Sequence, residues 1–352
     1  MTNACHEYKG GIHLHTTASD GAASHQEVAR LAAQAGLDFL IVTDHNVLTS
    51  GVDGWYDDVL LLVGEEIHDT TRLPEANHYL AFDIQSHVPA EGASPQQVID
   101  EVNSRGGFGF IAHPFEHSPP LTGEPELPWV DWEVIGYAGL EIWNYMSEFK
   151  SYLRSVAGAL FFILCPRTAI AGPFPETLAK WDELLSRRKT AAIAGTDAHS
   201  ATYSIGPLRR AVLPYEDCLR AVRTHILTPE PLTGALDHDR RMVYQALREG
   251  KSFVAYDAIG DATGFSFQAR SGESVAGMGE DLRLSGEVTF KVSSPLQAEL
   301  RLSWNGQTVA QRKGTGLRHT SGESGVYRVE ARRTHLWKSR GWVFTNPVYV
   351  VD

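Results

Sequence analysis

Three things are scarce in this 352-residue chain, and each scarcity excludes something. Cysteine comes first. Cys5, Cys165 and Cys218 lie far apart in no paired spacing, which fits neither a disulfide framework nor a thiolate zinc knot, and a reducing cytoplasm is the expected setting. Long apolar runs come second. Met1 to Gly11 holds no apolar core of signal-peptide length, and Ala157–Cys165 is far below the roughly 20 residues that span a bilayer. That run reads as a buried helix, and no membrane partner is expected. Positive charge comes third. Thirty-one Lys and Arg stand against 43 Asp and Glu, a net charge of -12, which argues against a broad nucleic-acid surface because neutralising phosphates needs clustered cations. A small anionic substrate is not excluded, since bound cations reverse the local sign of a site.

What is present is a length that suits one large domain and a smaller partner. From Gly11 to about Thr228, short apolar runs alternate with amphipathic stretches, the pattern of βα units around a parallel sheet or barrel. The expected strands are Gly11–His15, Asp38–Thr43, Val59–Ile67, His78–Ile84, Phe108–Ala112, Gly139–Trp143 and Thr190–Gly195. Ser24 with Glu27 forms a capping-box pattern closed by Gly36, and Ser94-Pro95 opens a second helix that stops near Gly106-Gly107. After a last helix, about Asp237 to Glu249, the segments Gly264–Ala269, Leu282–Val292, Ala298–Trp304, Gly325–Ala331 and Trp342–Val350 are rich in β-formers and separated by turns. They predict a small antiparallel β-sandwich, with domains of 1–235 and 236–352.

Fifteen histidines would be ordinary if scattered, but several close the predicted strands. His13-Leu14-His15 puts two imidazoles two residues apart, on one side of an extended strand. Asp20-Gly21 follows in a turn. Thr43-Asp44-His45-Asn46 ends the apolar run Phe39–Val42, and a strand buried on both faces that stops in Asp-His is delivering polar groups to a rim. Gly64-Glu65-Glu66 ends Val59–Val63, His78 opens another strand, and Ile111-Ala112-His113-Pro114 and Gly195-Thr196-Asp197-Ala198-His199 close two more. Strand ends are where α/β barrels place their active sites. Five such clusters together read as a set of convergent ligands.

The set resembles the PHP (polymerase and histidinol phosphatase) metallohydrolases, whose motifs occur in this order over nearly all of residues 10 to 200. The resemblance implies a distorted (βα)7 barrel with a two- or three-metal site hydrolysing phosphate esters. Carried over, His13, His15, Glu66 and Asp197 hold one ion, Glu66, His78 and His113 a second, and Asp20, His45 and His199 a third. Some members have His where Asp20 stands here. Glu66, Asp197 and His199 are the expected catalytic residues. The family pattern puts the bridging carboxylate two residues after the glycine, so Gly64 selects Glu66 over Glu65. Leu140-Glu141-Ile142-Trp143-Asn144 and Phe344–Val350 look like the branch that includes carbaryl-hydrolase-like proteins, in which carboxyl- or carbamate-ester chemistry stands beside phosphoester chemistry.

Imidazole and carboxylate donors without thiolates suit Zn, Mn or Fe(II). Metal-bound hydroxide would supply the nucleophile, and the sequence offers no Gly-x-Ser-x-Gly elbow and no Walker loop as a rival. The leading expectation is a phosphoesterase for a small molecule or nucleotide. A carboxylic or carbamate ester hydrolase is the second, and a metal-binding module without catalysis the third. Asp44 and Asn46 are expected to orient ligand imidazoles, His68, His87 and His117 to serve surface or packing roles, and Arg167, Arg209 or Arg210 to contact phosphate. His319, between Arg318 and Thr320, has no ligand-spaced partner, so the C-terminal region should supply no ligand.

Overall fold

The computed structural model describes residues 5–121, 123–164, 168–200, 202–205 and 208–352, with side chains throughout except at 163–164, 202–205 and 208–211. It is a mixed α/β protein. The strands of the first part are β1 (His6–Ile12), β2 (Phe39–Val42), β3 (Gly54–Tyr56), β4 (Val59–Val63), β5 (Glu65–Ile67), β6 (Tyr79–Phe82), β7 (Phe108–Ile111), β8 (Gly139–Asn144) and β9 (Ala191–Gly195). A hairpin of β10 (Thr202–Ile205) and β11 (Leu208–Ala211) precedes β12 (Val222–Thr228) and β13 (Ser252–Tyr256). Helices α1 (His25–Ala35), α2 (Pro95–Ser104), α3 (Tyr145–Ser151), α4 (Val156–Leu164), α5 (Pro175–Leu185), α6 (Tyr215–Cys218) and α7 (Leu236–Arg248) lie between them.

The hydrogen-bond ladders draw two sheets where the resemblance implied one distorted (βα)7 barrel. β12, β1, β2, β4 and β3 follow one another in a 14-stranded sheet, and β5 to β9 form a five-stranded sheet. At one seam the expected strand Val59–Ile67 divides at Gly64, because β4 pairs with β2 and β5 turns to pair with β6. The peptide of Gly64 passes so close to the Ala81 carbonyl that a Cβ would not fit. At the other seam β9 meets its neighbours through single bonds: Ala194 N–H donates to Thr224 Oγ1, Thr196 N–H to the Ile12 carbonyl, and Leu14 bridges Ala198. Asn346, from near the end of the chain, pairs with Ala192 through both amide atoms and also donates to Ser252.

Between the sheets lies a core of alternate residues: Phe39 and Ile41, Leu60 and Leu62, Leu80 and Phe82, Phe108 and Phe110. Val243, Tyr244 and Leu247 of α7 pack against this core. The intervening residues Leu40, Val42 and Leu61 share the other core cluster with Val28, Ala29 and Ala32 of α1. Both faces of these strands are therefore buried, which explains their unbroken apolar sequence. Ser24 makes the expected capping box on α1, Gly36 takes the left-handed position at φ 73°, and Ser94 caps α2 in the same way.

The second part differs from its expected outline. Here β14 (Ser266–Ser271), β15 (Ser274–Ala276), β16 (Asp281–Arg283), β17 (Val288–Trp304), β18 (Gln307–Ser321), β19 (Gly325–His335), β20 (Lys338–Thr345) and β21 (Val348–Val351) follow in order. The expected strand Leu282–Val292 is cut at Gly286, in left-handed conformation, and its second half fuses with Ala298–Trp304 into β17. β18 has polar, exposed residues along most of its length, which hid it from a reading based on burial. Through β20 on β13, these strands extend the larger sheet. Helix α4 is only partly buried, with Val156, Leu160 and Phe161 exposed, so the buried-helix reading of Ala157–Cys165 fails on one face. Cys165 lies outside the described residues.

Candidate metal centre

Three ligand candidates sit just past a strand in left-handed backbone conformation: His13 at φ 60°, His113 at 23° and Asp197 at 52°. Side chains with a Cβ rarely accept this conformation, at a cost of roughly 1–3 kcal/mol each. Neighbouring bonds hold it in place. Asp197 N–H donates to the His13 carbonyl at 2.6 Å, His15 N–H to the Ala198 carbonyl at 3.0 Å, and His113 N–H to Glu141 Oε2 at 2.7 Å. β1 ends at Ile12, earlier than expected, so His13 and His15 converge through this kink and not through strand alternation.

Glu66 is the focus. Its Oε2 lies 3.1 Å from His13 Nε2, 3.2 Å from His15 Nε2 and 3.2 Å from His45 Nδ1. Its Oε1 lies 2.8 Å from His78 Nδ1 and 3.1 Å from His113 Nε2. Asp197 Oδ1 faces His15 Nε2 at 3.2 Å, His13 Nε2 at 3.5 Å and His199 Nδ1 at 3.6 Å. Asp20 closes the outer end, 3.2 Å from His199 Nε2, with His15 and His45 just beyond at 3.8 and 3.9 Å. The nine positions named from the sequence thus lie together. Their donor atoms fall into three groups: His15, Asp20, His45 and His199; His13, His15, Glu66 and Asp197; and Glu66, His78 and His113.

Burial would push Glu66 and Asp197 up, but the surrounding imidazoles prevail and hold both carboxyls well below their ordinary range. Burial likewise opposes charge on His15 and His78, yet Asp197 and Glu66 raise the first, and Glu66 and Glu75 the second, from 6.5 to about 9. His45 goes the other way. Burial, then His15 and His78, bring it down to about 4.

The donors fit divalent ions. His13 Nε2, both ring nitrogens of His15, His45 Nδ1 and Glu66 Oε2 are buried without a hydrogen-bond partner. Buried polar atoms are rarely left in that state. Three imidazole nitrogens about 3.1–3.2 Å from one carboxylate oxygen have the spacing of donors around an ion bound at about 2.0–2.2 Å.

Glu141 is the functional residue the sequence reading passed over. It accepts from His13 Nδ1 at 2.9 Å, from the His113 backbone, and from Asn144 Nδ2, which also reaches Asp197 Oδ2 at 3.3 Å. His13 Nε2 is thereby turned toward the centre. Gly195 leaves the room this contact needs, since a Cβ there would strike Glu141 Oε1. The available signal was a lone acid in the apolar strand Leu140-Glu141-Ile142, where a buried charge demands partners.

Asp44 has another task than the one expected. It accepts from Thr16 backbone and hydroxyl and from Ser19, and lies 3.4 Å from His25, fixing the loop after His15 and touching no ligand imidazole. Asn46 accepts from the His68 backbone. His87 is bonded to Glu65 on the far side of the strand, His117 pairs with Glu176, and His68 stands against His78 with ring centres 4.3 Å apart. Lys150 of α3, also unforeseen, reaches Glu116 Oε1 at 2.7 Å. Burial opposes its charge, but Glu116 and Asp197 hold its pKa above the ordinary value. Arg167 lies outside the described residues, as do the side chains of Arg209 and Arg210.

No model of a known protein family matches this chain. An uncharacterized protein of Methanocaldococcus jannaschii is 23% identical over 122 residues, 30% of this chain and 68% of its own. Among solved structures, a two-domain Bacteroides vulgatus protein containing a predicted PHP-like metal-dependent phosphoesterase is similar over 97% of this chain and 95% of its own, at 14% identity and a TM-score of 0.46. An amidohydrolase from Chromobacterium violaceum with bound sulfate is similar over 60% of this chain and 95% of its own, at 15% identity and a TM-score of 0.32. Among the described residues no helix is long and apolar enough to cross a membrane.

Proposed function

We propose that this chain is a hydrolase of small anionic esters, foremost phosphoesters, that works with two or three divalent ions of Zn, Mn or Fe. The observation that carries this reading is the buried Glu66 Oε2 with three unpartnered imidazole nitrogens around it. In this reading His13, His15, Glu66 and Asp197 hold one ion, Glu66, His78 and His113 a second, and Asp20, His45 and His199 a third. Divalent ions, when bound, supply the positive charge that polarises an ester and activates water near neutral pH.

The chain's own residues do the rest. Glu141 keeps the His13 proton on Nδ1, leaving Nε2 as the donor atom. His199 engages the Asp197 carbonyl through Nδ1 at 2.9 Å, which leaves Nε2, beside the exposed Asp20, as its donor atom toward the third ion. Lys150 offers a cation to the anionic group, and its replacement by Met should raise KM for charged esters more than for neutral ones.

The test is a panel of phosphomonoesters, phosphodiesters, carboxyl esters and aryl carbamates, run with metal-loaded and chelated protein. Metal-dependent turnover of phosphoesters supports the proposal. Turnover confined to carboxyl or carbamate esters assigns the same centre to that chemistry, and a protein that takes up no metal refutes the reading.

A further inference from the structure

The three groups of donors form a row with shared members: His15 belongs to the outer and the middle group, Glu66 to the middle and the inner. The row has a matching end that draws two of the nine positions, His45 and His78, together with residues outside that set. One ring nitrogen of each of His45, His68 and His78 lies within 4.8 Å of the other two. Glu75 stands over them, its Oε1 3.1 Å from His78 Nε2 and 3.6 Å from His68 Nε2. Nδ1 of His68 is buried and has no hydrogen-bond partner.

The contacts of His78 point the same way. Its two ring nitrogens each face a carboxylate oxygen, Glu66 Oε1 at Nδ1 and Glu75 Oε1 at Nε2. A neutral imidazole carries one proton and can satisfy only one of them. The other contact needs a second positive charge on the ring, a proton in the metal-free protein or a cation in its place. At the opposite end of the row, Asp20 plays the part that Glu75 plays here. Its side chain is 57% exposed and that of Glu75 38%, whereas Glu66 is 1% exposed, so each end is an open pocket of histidines under one solvent-facing acid.

We infer that His68, His78 and Glu75, with His45 closing the pocket, form a further divalent-cation site at the rim of the centre. This inference rests on the metal-centre reading and adds a site to it. With three nitrogens and a carboxylate, the pocket suits the same Zn, Mn or Fe ions. Its partial exposure makes it the weaker, more readily exchanged position.

The experiment counts metal. Full-length protein freed of metal is dialysed against graded Mn²⁺, and bound equivalents are measured by elemental analysis for wild type, His68→Gln, Glu75→Gln and, as a control, His319→Gln. The expected result is one weak equivalent in wild type and control that His68→Gln lacks. Glu75→Gln should bind that equivalent at least about tenfold more weakly, with the tight equivalents kept in both variants. Identical isotherms for all four proteins would overturn the site. Loss of a tight equivalent in Glu75→Gln would also overturn it, by showing that Glu75 only orients His78. A wild type that binds no Mn²⁺ at all would sink the metal centre itself, an outcome distinct from both.

Discussion

Around Glu66 the protein buries charge and leaves ring nitrogens and a carboxylate oxygen unpartnered; around Arg328 it buries charge and gives each side-chain nitrogen a partner. Arg328, on β19, donates to both oxygens of Asp182 at 2.7 Å and to Glu330, and its ring of partners outweighs burial and raises its pKa further. Arg340 on β20 reaches the carbonyls of Ile170 and Thr168 in the same way. A buried charge with all its partners in the chain belongs to the fold. Unpartnered donor atoms gathered around one buried carboxylate, as at His13, His15, His45 and Glu66, make a candidate position for a bound ion.

The sharpest way to break this contrast is to compare two adjacent acids. Glu66→Gln should cost more metal and turnover than the about 10–100-fold that follows loss of an outer partner. Glu65→Gln should keep the metals, because Glu65 accepts from His87 and the Val88 backbone behind the strand. Metal content and turnover of both variants, purified identically, are the measurement; metal loss in Glu65→Gln alone would reverse the assignment.

That pair also shows how much could be read from the chain itself. The alternation of side chains at Gly64-Glu65-Glu66, together with the family pattern, was enough to choose the inward acid. Strand-end motifs, taken together with the family resemblance, were enough to assemble the nine ligand candidates. It could not find Glu141 or Glu75, since their partners lie across the fold and in a loop. It also misassigned Asp44, because adjacency to His45 in sequence says nothing of which loop the carboxylate faces. The barrel outline missed the break at Gly64, which depends on the approach of Ala81 and leaves no periodicity to read.

A second test sharpens the other side of the contrast. Arg328→Met should lower unfolding stability by about 3 kcal/mol, by leaving Asp182 without its partner, while metal content stays as in wild type. Chemical denaturation and elemental analysis would check both halves.

A smaller effect should appear in protein stripped of metal. His15 and His78 are raised from 6.5 to about 9, so the folded state holds more protons than the unfolded one between those values, and stability should fall as pH rises through that window. His45, lowered to about 4, adds stability as pH climbs from about 4 to 6.5. Metal-free protein should therefore be most stable close to pH 6.5, and melting curves across pH would show a flat or rising trend above 6.5 if the assignment of these groups were wrong.

The smallest expected effect is none. His319→Ala on β18 should leave metal content unchanged, since among the described residues no grouped donor comes from beyond His199. Loss of one equivalent would remove the distinction between the two regions.

The side chain of Asn346 ties the end of the story to its beginning. It bonds the peptide of Ala192, 154 positions earlier in the chain, on the strand that ends beside Asp197. A ribosome releases the last ligand, His199, well before it releases this amide. The nascent chain can collect its histidines early, but the peptide groups of Ala192, upstream of Asp197 on β9, lack their Asn346 partner until residue 346 has emerged. Order at the ligand cluster should thus arrive late in synthesis, through a contact whose large sequence separation makes it slow to form.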